Sequence, residues 1–310
     1  MRLLVTGVTG YIGGRLVPEL LDAGHEVRVL ARHPERLADR TWVDRVEIVA
    51  GDASDPAVVH QALRGVDVAY YLLHSLMAGE GFEELERTIA RTFAAAARDE
   101  GVGRLVYVGA LLPDLPVEEM SGHFRSRAEV SEIFRTSGVP TIELRAAVII
   151  GSGSASFEMV RYLTERLPVM VTPNWVRTQT QPIAIRDVLY YLVRVADLPG
   201  DINRAFEIGG PDVITYEEMM HGYARAAGLS QRIVVGMPFL TPRLSSNWVG
   251  LVTPVPKAVA KPLVDSLTMR SVCREHDIAE LIPDPPEGLV PYERAVTLAL
   301  ARIREADVRT

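Results

Sequence analysis

The sequence is expected to fold as an α/β protein, a Rossmann-type doubly wound parallel sheet followed by a smaller C-terminal α+β lobe. Three observations predict this. Up to about residue 151, short apolar runs rich in β-branched residues alternate with helical patterns. The runs are apolar throughout rather than alternating, which suits strands covered on both faces. Gly24, Gly65, Gly101 and Gly138 each stand where a helix should stop.

In order, the expected strands are LLVTG, EVRVLA, VEIVAG, VDVAYYLL, RLVYVGAL and PTIELRAAVII. The helices between them are RLVPELLDAG, PAVVHQALRG, FEELERTIARTFAAAARDEG and an amphipathic segment that opens GHFRSR. Beyond residue 151 the strands shorten (VMVT, TQPIAI, AFEIGG, RIVVG) and alternate with FEMVRYLTER, DVLYYLVRVA and TYEEMMHGYARAAG. The division expected is therefore a nucleotide-binding core over 1–151 and a substrate lobe over 152–310, partly interleaved with the core, with no flexible linker. In such folds the ligand lies at the carboxyl ends of the strands, near the switch point.

Composition narrows the possible functions. Apolar residues make up 48% and charged residues 24% of the 310, the balance of an ordinary globular protein. A net charge of −7 argues against nucleic acid or an anionic membrane as the main partner. The single Cys273 excludes an internal disulfide and a cysteine metal cluster, and no metal is expected. A strand-like run from residue 2 leaves no visible signal peptide, and the uncharged stretch from Leu244 to Pro256 is too short to span a bilayer. The expected setting is cytoplasmic.

The first strand runs into TGVTGYIGGRL, which carries Thr6, Gly7, Thr9, Gly10, Tyr11, Ile12 and Gly13. Its G-x-x-G-x-x-G spacing lies between a strand and a helix. Gly7 permits the tight turn, Gly10 lets a pyrophosphate approach the backbone, and Gly13 lets the helix pack closely. The helix N-terminus adds free N–H groups and the positive end of its dipole. A dinucleotide is the expected cofactor. The second strand ends RVLARHPER, with no carboxylate before Glu35 to take a ribose 2′-OH. Arg32 and Arg36 stand there instead, which predicts NADP(H) over NAD(H). Arg28 is expected to be a solvated surface charge.

The third strand ends VAGDASD, where Asp52 can accept from the adenine amino group beside Ala53, or can cap the next helix, as Ser54 or Asp55 also could. The fourth ends YYLLHSL, placing Leu72, Leu73, His74 and Ser75 under the nicotinamide-ribose half of the crevice, with a buried structural histidine as the alternative for His74. His123 and Arg127 lie four apart on one helical face.

These segments together resemble the short-chain dehydrogenase/reductase superfamily. TGVTGYIG is similar to the glycine motif of its extended and atypical branches, and the Gly51–Asp52 pair to its adenine contact. QPIAIRDV (181–188) and FEIGGPDVITYEEM (206–219) resemble its substrate-lobe segments. YYLLHSL and HFRSR point to the atypical NmrA-like and YbjT-like NAD(P)H-binding members, related to the complex I accessory-subunit group. The resemblance implies backbone contacts near the carboxamide from Ala147, Val148 and Ile149. It also implies a catalytic Tyr-x-x-x-Lys with an upstream Ser. Here His123 and Arg127 occupy the Tyr and Lys positions, and Gly109 and Ala110 leave the Ser role vacant unless Ser75 or Ser121 fills it. An imidazolium can protonate a developing alkoxide, and Arg127 can stabilise negative charge while lowering the histidine pKa.

Phe157, Met159, Trp175, Met237, Phe239 and Trp248 are the large apolar residues near the expected mouth, or simply the core of the lobe. Gly151 to Ser156 is a small-residue loop that hinges, lines the mouth, or only turns the chain. Arg177 and Arg186 are the obvious cations there, Arg186 with Asp187 as its expected partner. The function expected is an NADP(H)-dependent oxidoreductase for an apolar carbonyl or quinone-like small molecule. The alternative is a non-catalytic NADPH sensor or scaffold. A nucleotide-sugar epimerase or dehydratase is disfavoured, because such members keep Tyr-x-x-x-Lys.

Overall fold

The computed structural model describes residues 1–74, 81–236, 264 and 266–308. The core is a seven-stranded parallel sheet. Its strands are β1 (Arg2–Val5), β2 (Glu26–Ala31), β3 (Glu47–Ala50), β4 (Val68–Tyr71), β5 (Arg104–Ala110), β6 (Thr141–Ala146) and β11 (Arg204–Ile208). Their order across the sheet is β11-β6-β5-β4-β1-β2-β3. The chain leaves β1 toward one edge and returns to β4 on its other side, so the switch point lies between β1 and β4.

Helices cover both faces, which is why the strands read as unbroken apolar runs. On one side α1 (Gly13–Asp22) packs beside α6 (Ile185–Arg194) over Leu3, Val5, Tyr70 and Ile142. On the other, α2 (Pro56–Leu63), α3 (Phe82–Asp99) and α4 (Gly122–Arg135) cover Leu4, Ala69, Tyr71 and Leu105. Tyr71, Phe93, Tyr107 and Phe134 interlock there, with the Tyr71 and Phe134 rings edge-on at 4.7 Å between centroids. The four glycines expected to end helices all have φ between +68° and +89°, a conformation that side chains resist.

The remaining elements build the second lobe: β7 (Ile149–Ile150), α5 (Ala155–Arg166), β8 (Val169–Thr172), β9 (Gln179–Thr180), β10 (Ile183–Ala184), β12 (Ile214–Thr215), α7 (Tyr216–Ala226), β13 (Ile233–Gly236) and α8 (Tyr292–Val308). A capping box between Thr215 and Glu218 starts α7. Helix α8 was not anticipated, although Tyr292, Ala295, Val296 and Ala299 mark its buried face at helical spacing. No helix among the described residues is long and apolar enough to cross a membrane.

Two expectations about arginines need correcting. Arg28 is buried, not solvated. Its guanidinium donates to the carbonyls of Ala62 and Arg64 at 2.8 Å each, closing the C-terminus of α2, and pairs with Glu47 at 2.9 Å. A strand in the sheet interior thus ties down the neighbouring helix. Arg186 pairs not with Asp187 but with Glu287 at 2.9 Å. Asp187 is buried, its pKa raised by that burial, and it accepts from the Val290 backbone N–H at 2.9 Å.

Candidate active site

The strand-to-helix turn after β1 is built as the glycine spacing requires. Gly7 has φ +67°, and a Cβ there would lie 2.4 Å from the Leu72 carbonyl oxygen. A Cβ on Gly13 would meet the Gly7 carbonyl at 2.5 Å. Thr9 and Gly10 are exposed at the mouth, and Tyr11 and Ile12 lead into α1, where the Gly14 N–H reaches the Gly10 carbonyl at 3.2 Å and the Arg15 and Leu16 N–H groups share the Ile12 carbonyl. The residues present therefore fit a dinucleotide pyrophosphate, with the backbone exposed where it must be approached. Thr6 is fully buried, and its hydroxyl bridges the Tyr70 carbonyl and the Leu72 N–H at 3.0 Å each. It fixes the β1–β4 gap rather than pointing outward.

Tyr11 points toward the second lobe. Its ring stacks under the Arg15 guanidinium, and its hydroxyl presses so closely on Gly151 that a Cβ there would collide. Arg15 donates to the Ser152 carbonyl at 2.5 Å. Burial raises the Tyr11 phenol to about 12. The small-residue loop from Gly151 to Ser156 is thus fastened to the phosphate loop, and Ser154 adds a bond to the Ile149 carbonyl at 2.8 Å. Val148 is buried and its carbonyl accepts from Ile183 at 2.9 Å, while Ala147 and Ile149 are half-exposed beside it.

Arg32 and Arg36 are exposed at the end of β2. Arg32 lies 3.5 Å from Asp52, whose other oxygen accepts from the backbone and hydroxyl of Ser54. Those bonds hold the Asp52 carboxyl below the usual carboxylate range. The cap of α2 is Asp55, which accepts from Ala57 N–H at 2.9 Å and leaves Asp52 uncommitted to the helix. Ala53 is buried beside it.

The chemistry-bearing side chains converge around a residue that the sequence reading did not single out. Glu86, on α3, is buried to 2% of its side-chain surface. Its Oε1 accepts from His74 Nδ1 and from Arg127 Nη2, both at 2.7 Å, and its Oε2 accepts from the Ser126 hydroxyl. Burial alone would raise this carboxyl. His74, Arg127 and Ser126 outweigh it and hold the carboxyl well below its ordinary value, so it is ionised. Arg127 lies over the Tyr107 ring at 5.6 Å and is itself nearly buried. His74 Nδ1 is also 2.9 Å from Arg127 Nη2. Arginine can only donate, so its contact with Nδ1 is a hydrogen bond when that nitrogen is bare, whereas a proton on Nδ1 is donated to the Glu86 carboxylate.

The His123 ring sits 5.4 Å from that of His74, so the predicted face of α4 does meet the end of β4. Its buried Nδ1 has no hydrogen-bond partner among the described residues. Burial, then the charges of His74 and Arg127, lower its pKa to about 3. His123 is therefore a neutral ring. The His74 pKa is lowered by packing of its inner edge and by Arg127, against the opposing pull of Glu86.

The vacancy expected at the end of β5 has a structural occupant. A Cβ on Gly109 would lie 2.1 Å from Glu143 Oε1. Glu143 is buried in β6, accepts from the Ser131 hydroxyl at 2.5 Å and pairs with Arg145 at 3.0 Å. Ser121 does not replace the missing hydroxyl. It caps α4 by accepting from Phe124 N–H at 3.3 Å and contacts the Ser266 hydroxyl at 3.0 Å. Ser75 lies outside the described residues. Substituting Gly109 with serine is expected to displace Glu143 from both partners and destabilise the fold by about 1–3 kcal/mol. The urea unfolding midpoint measures this.

On the substrate side, Phe157, Met159 and Trp175 belong to the buried core of the second lobe, the blander of the two expectations. Met237, Phe239 and Trp248 lie outside the described residues. Arg177 is exposed. No cluster of three or more metal-ligating side chains occurs among the described residues.

Residues 7–148 match a family described as NAD(P)H-binding. A (4-alkanoyl-5-oxo-2,5-dihydrofuran-3-yl)methyl phosphate reductase of Streptomyces griseus is 33% identical over 232 residues, covering 73% of this chain and 74% of that protein. A ceramide reductase of Caulobacter vibrioides is 28% identical over 247 residues, 74% of this chain and 72% of its own. Among solved structures, the triphenylmethane reductase of Citrobacter sp. complexed with NADP(H) superposes with TM-score 0.74 at 22% identity, over 96% of this chain and 99% of that one. An NADPH-dependent quinone oxidoreductase of Escherichia coli complexed with NADPH gives 0.73 at 18% identity, over 95% and 98%. These two likenesses show the shared fold.

Proposed function

Because this chain belongs to the atypical, NAD(P)H-binding branch of the short-chain dehydrogenase/reductase superfamily, we propose that it is an NADP(H)-dependent reductase of an apolar carbonyl or quinone-like small molecule. The observation that carries the reading is the convergence of His74, His123, Arg127 and an ionised Glu86 at the carboxyl end of β4, one strand from the phosphate loop. The cofactor supplies a hydride. The protein must orient the carbonyl, neutralise charge on its oxygen and deliver one proton. Arg127 keeps a fixed positive charge at the site, and the histidines are its titratable groups. Gly7, Gly10, Gly13, Tyr11 and Ile12 would hold the pyrophosphate, Asp52 and Ala53 the adenine, and Leu72, Leu73, Ala147, Val148 and Ile149 the nicotinamide half. Relatives and fold neighbours named for ceramide, triphenylmethane dyes and quinone support an apolar substrate.

Arg32 and Arg36, both exposed where the ribose 2′-phosphate would lie, support NADP(H) over NAD(H). In a fluorescence titration NADPH is expected to bind more tightly than NADH. Arg32→Ala is expected to weaken NADPH roughly 10–150-fold, the value of one charged hydrogen bond, and to leave NADH unchanged. Equal loss for both nucleotides would remove Arg32 from the 2′-phosphate site.

The second reading is a non-catalytic NADPH sensor. It is favoured by Gly109, where Glu143 fills the floor on which the family places a serine. NADPH oxidation with a panel of aldehydes, ketones and quinones separates the two. Turnover supports the reductase, and tight NADPH binding without turnover on any member supports the sensor.

A further inference from the structure

The proton of this reduction has two possible histidine sources, and their surroundings differ. His123 stands where the family places its acid. Its Nδ1 is buried without a partner among the described residues, and Arg127, four residues on, keeps a positive charge close by. A proton on that ring would be a second cation beside Arg127, and the nearby Glu86 carboxylate is hydrogen-bonded to Arg127 and Ser126 and in contact with His74 rather than with His123. His74 is arranged differently. Its Nδ1 is 2.7 Å from Glu86 Oε1, and the ring keeps 34% of its side-chain surface exposed. Glu86 cannot follow the ring outward, because Arg127 and Ser126 anchor it from α4.

Resting on the reductase reading, we propose that His74, held by Glu86, is the group that protonates the substrate oxygen, with Glu86 as its positioning residue. Glu86 accepts the Nδ1–H and fixes the ring plane. Nε2 is thereby left as the nitrogen that exchanges protons with the crevice. In the reduction, hydride leaves C4 of the nicotinamide of NADPH with its electron pair and bonds to the carbonyl carbon. The carbonyl π pair moves to oxygen, and the Nε2–H bond breaks as the new O–H bond forms. The products are the alcohol, NADP⁺ and neutral His74. Its exposed edge takes the next proton from water, so the balance needs only NADPH and a solvent proton.

The carboxylate compensates the charge on the His74 imidazolium at 2.7 Å, whereas on His123 its pull is the smallest of the influences and makes no hydrogen bond. The groups facing His74 are Glu86 from α3, and Arg127 and His123 from α4. Only the first is anionic, so the donor form is opposed by burial and by Arg127 and favoured by Glu86 alone, which leaves the His74 pKa below its ordinary value. The reductive rate is therefore expected to rise as pH falls through the His74 pKa, and to lose that dependence when His74 is replaced.

The test is steady-state NADPH oxidation by the full chain with the most active carbonyl or quinone of the panel, from pH 5 to 9. It compares wild type, His74→Asn, His123→Asn and Glu86→Gln, with NADPH affinity measured separately by fluorescence. His74→Asn is expected to lower kcat roughly 10²–10⁴-fold with NADPH affinity unchanged. His123→Asn is expected to lower it less than about tenfold. Glu86→Gln is expected to move the pH profile to lower pH, because the imidazolium loses its counter-charge. A collapse of kcat in His123→Asn with His74→Asn still active would overturn the assignment and leave the reductase reading standing. A wild type that binds NADPH and reduces nothing would sink both. Imidazole ¹⁵N shifts give a readout free of turnover: an Nε2–H tautomer for neutral His74 would also overturn the proposal.

Discussion

Glu86→Ala is expected to be the most damaging single substitution at the site, lowering stability by about 3–5 kcal/mol. The cause is not the lost carboxylate but what it leaves behind. Arg127 is nearly buried, stacked on Tyr107, and loses the anion that its guanidinium contacts at 2.7 Å. Ser126 and His74 lose the same acceptor. Thermal unfolding should shift by on the order of 10 °C. The pH dependence carries a second signature. The Glu86 carboxyl is lowered in the folded state, so its contribution is complete above its unfolded value of about 4.3 and drains away as pH falls through the folded one. Stability measured downward from pH 5 should therefore fall more shallowly in Glu86→Gln than in wild type. An equal slope would show that the carboxyl titrates alike in both states. His123 contributes in the same direction but over a different window, from about 6.5 down to about 3, so His123→Asn tells the two apart.

Gly7→Ala is expected to remove nucleotide binding with little room for repair. A side chain at φ +67° costs about 1–3 kcal/mol in conformation alone. The added Cβ would also stand 2.4 Å from the Leu72 carbonyl oxygen. That oxygen belongs to backbone fixed by Thr6, so no side-chain rotation relieves the contact. The turn must move, and the N-terminus of α1 moves with it. NADPH affinity should fall by at least about 100-fold, equivalent to 2.8 kcal/mol. Fluorescence titration measures this, and an affinity within threefold of wild type, roughly 0.6 kcal/mol, would remove Gly7 from the phosphate turn.

These two sites were unequally legible in the sequence. The phosphate turn could be read directly, because glycine at a strand–helix junction reports backbone conformation, and backbone conformation is local. The same holds for the helix-stopping glycines and for every strand of the sheet up to β6. His123 and Arg127 were also readable, since four residues on a helix fix a shared face. Glu86 was not. In FEELERTIAR it is one acidic residue among several on an exposed-looking helix, and its burial is decided by α4, 40 residues away in sequence. Arg28 failed for a related reason: on a strand covered by helices, an arginine finds its partners at a helix end that the strand pattern does not reveal. Helix α8 carries a local signal, since Tyr292, Ala295, Val296 and Ala299 recur at helical spacing and are buried.

The pairing of Gly109 with Glu143 has a consequence for descent. The two positions lie on neighbouring strands, and each supplies what the other lacks, one the space and the other the volume and charge that fill it. A lineage moving between this arrangement and one with a serine at the end of β5 cannot take the steps singly without loss. Serine arriving first collides with the carboxylate. Glutamate departing first leaves Arg145 without its anion and Ser131 without its acceptor. Both intermediates are handicapped, so the two positions are epistatic, and chains related to this one should inherit or abandon them together.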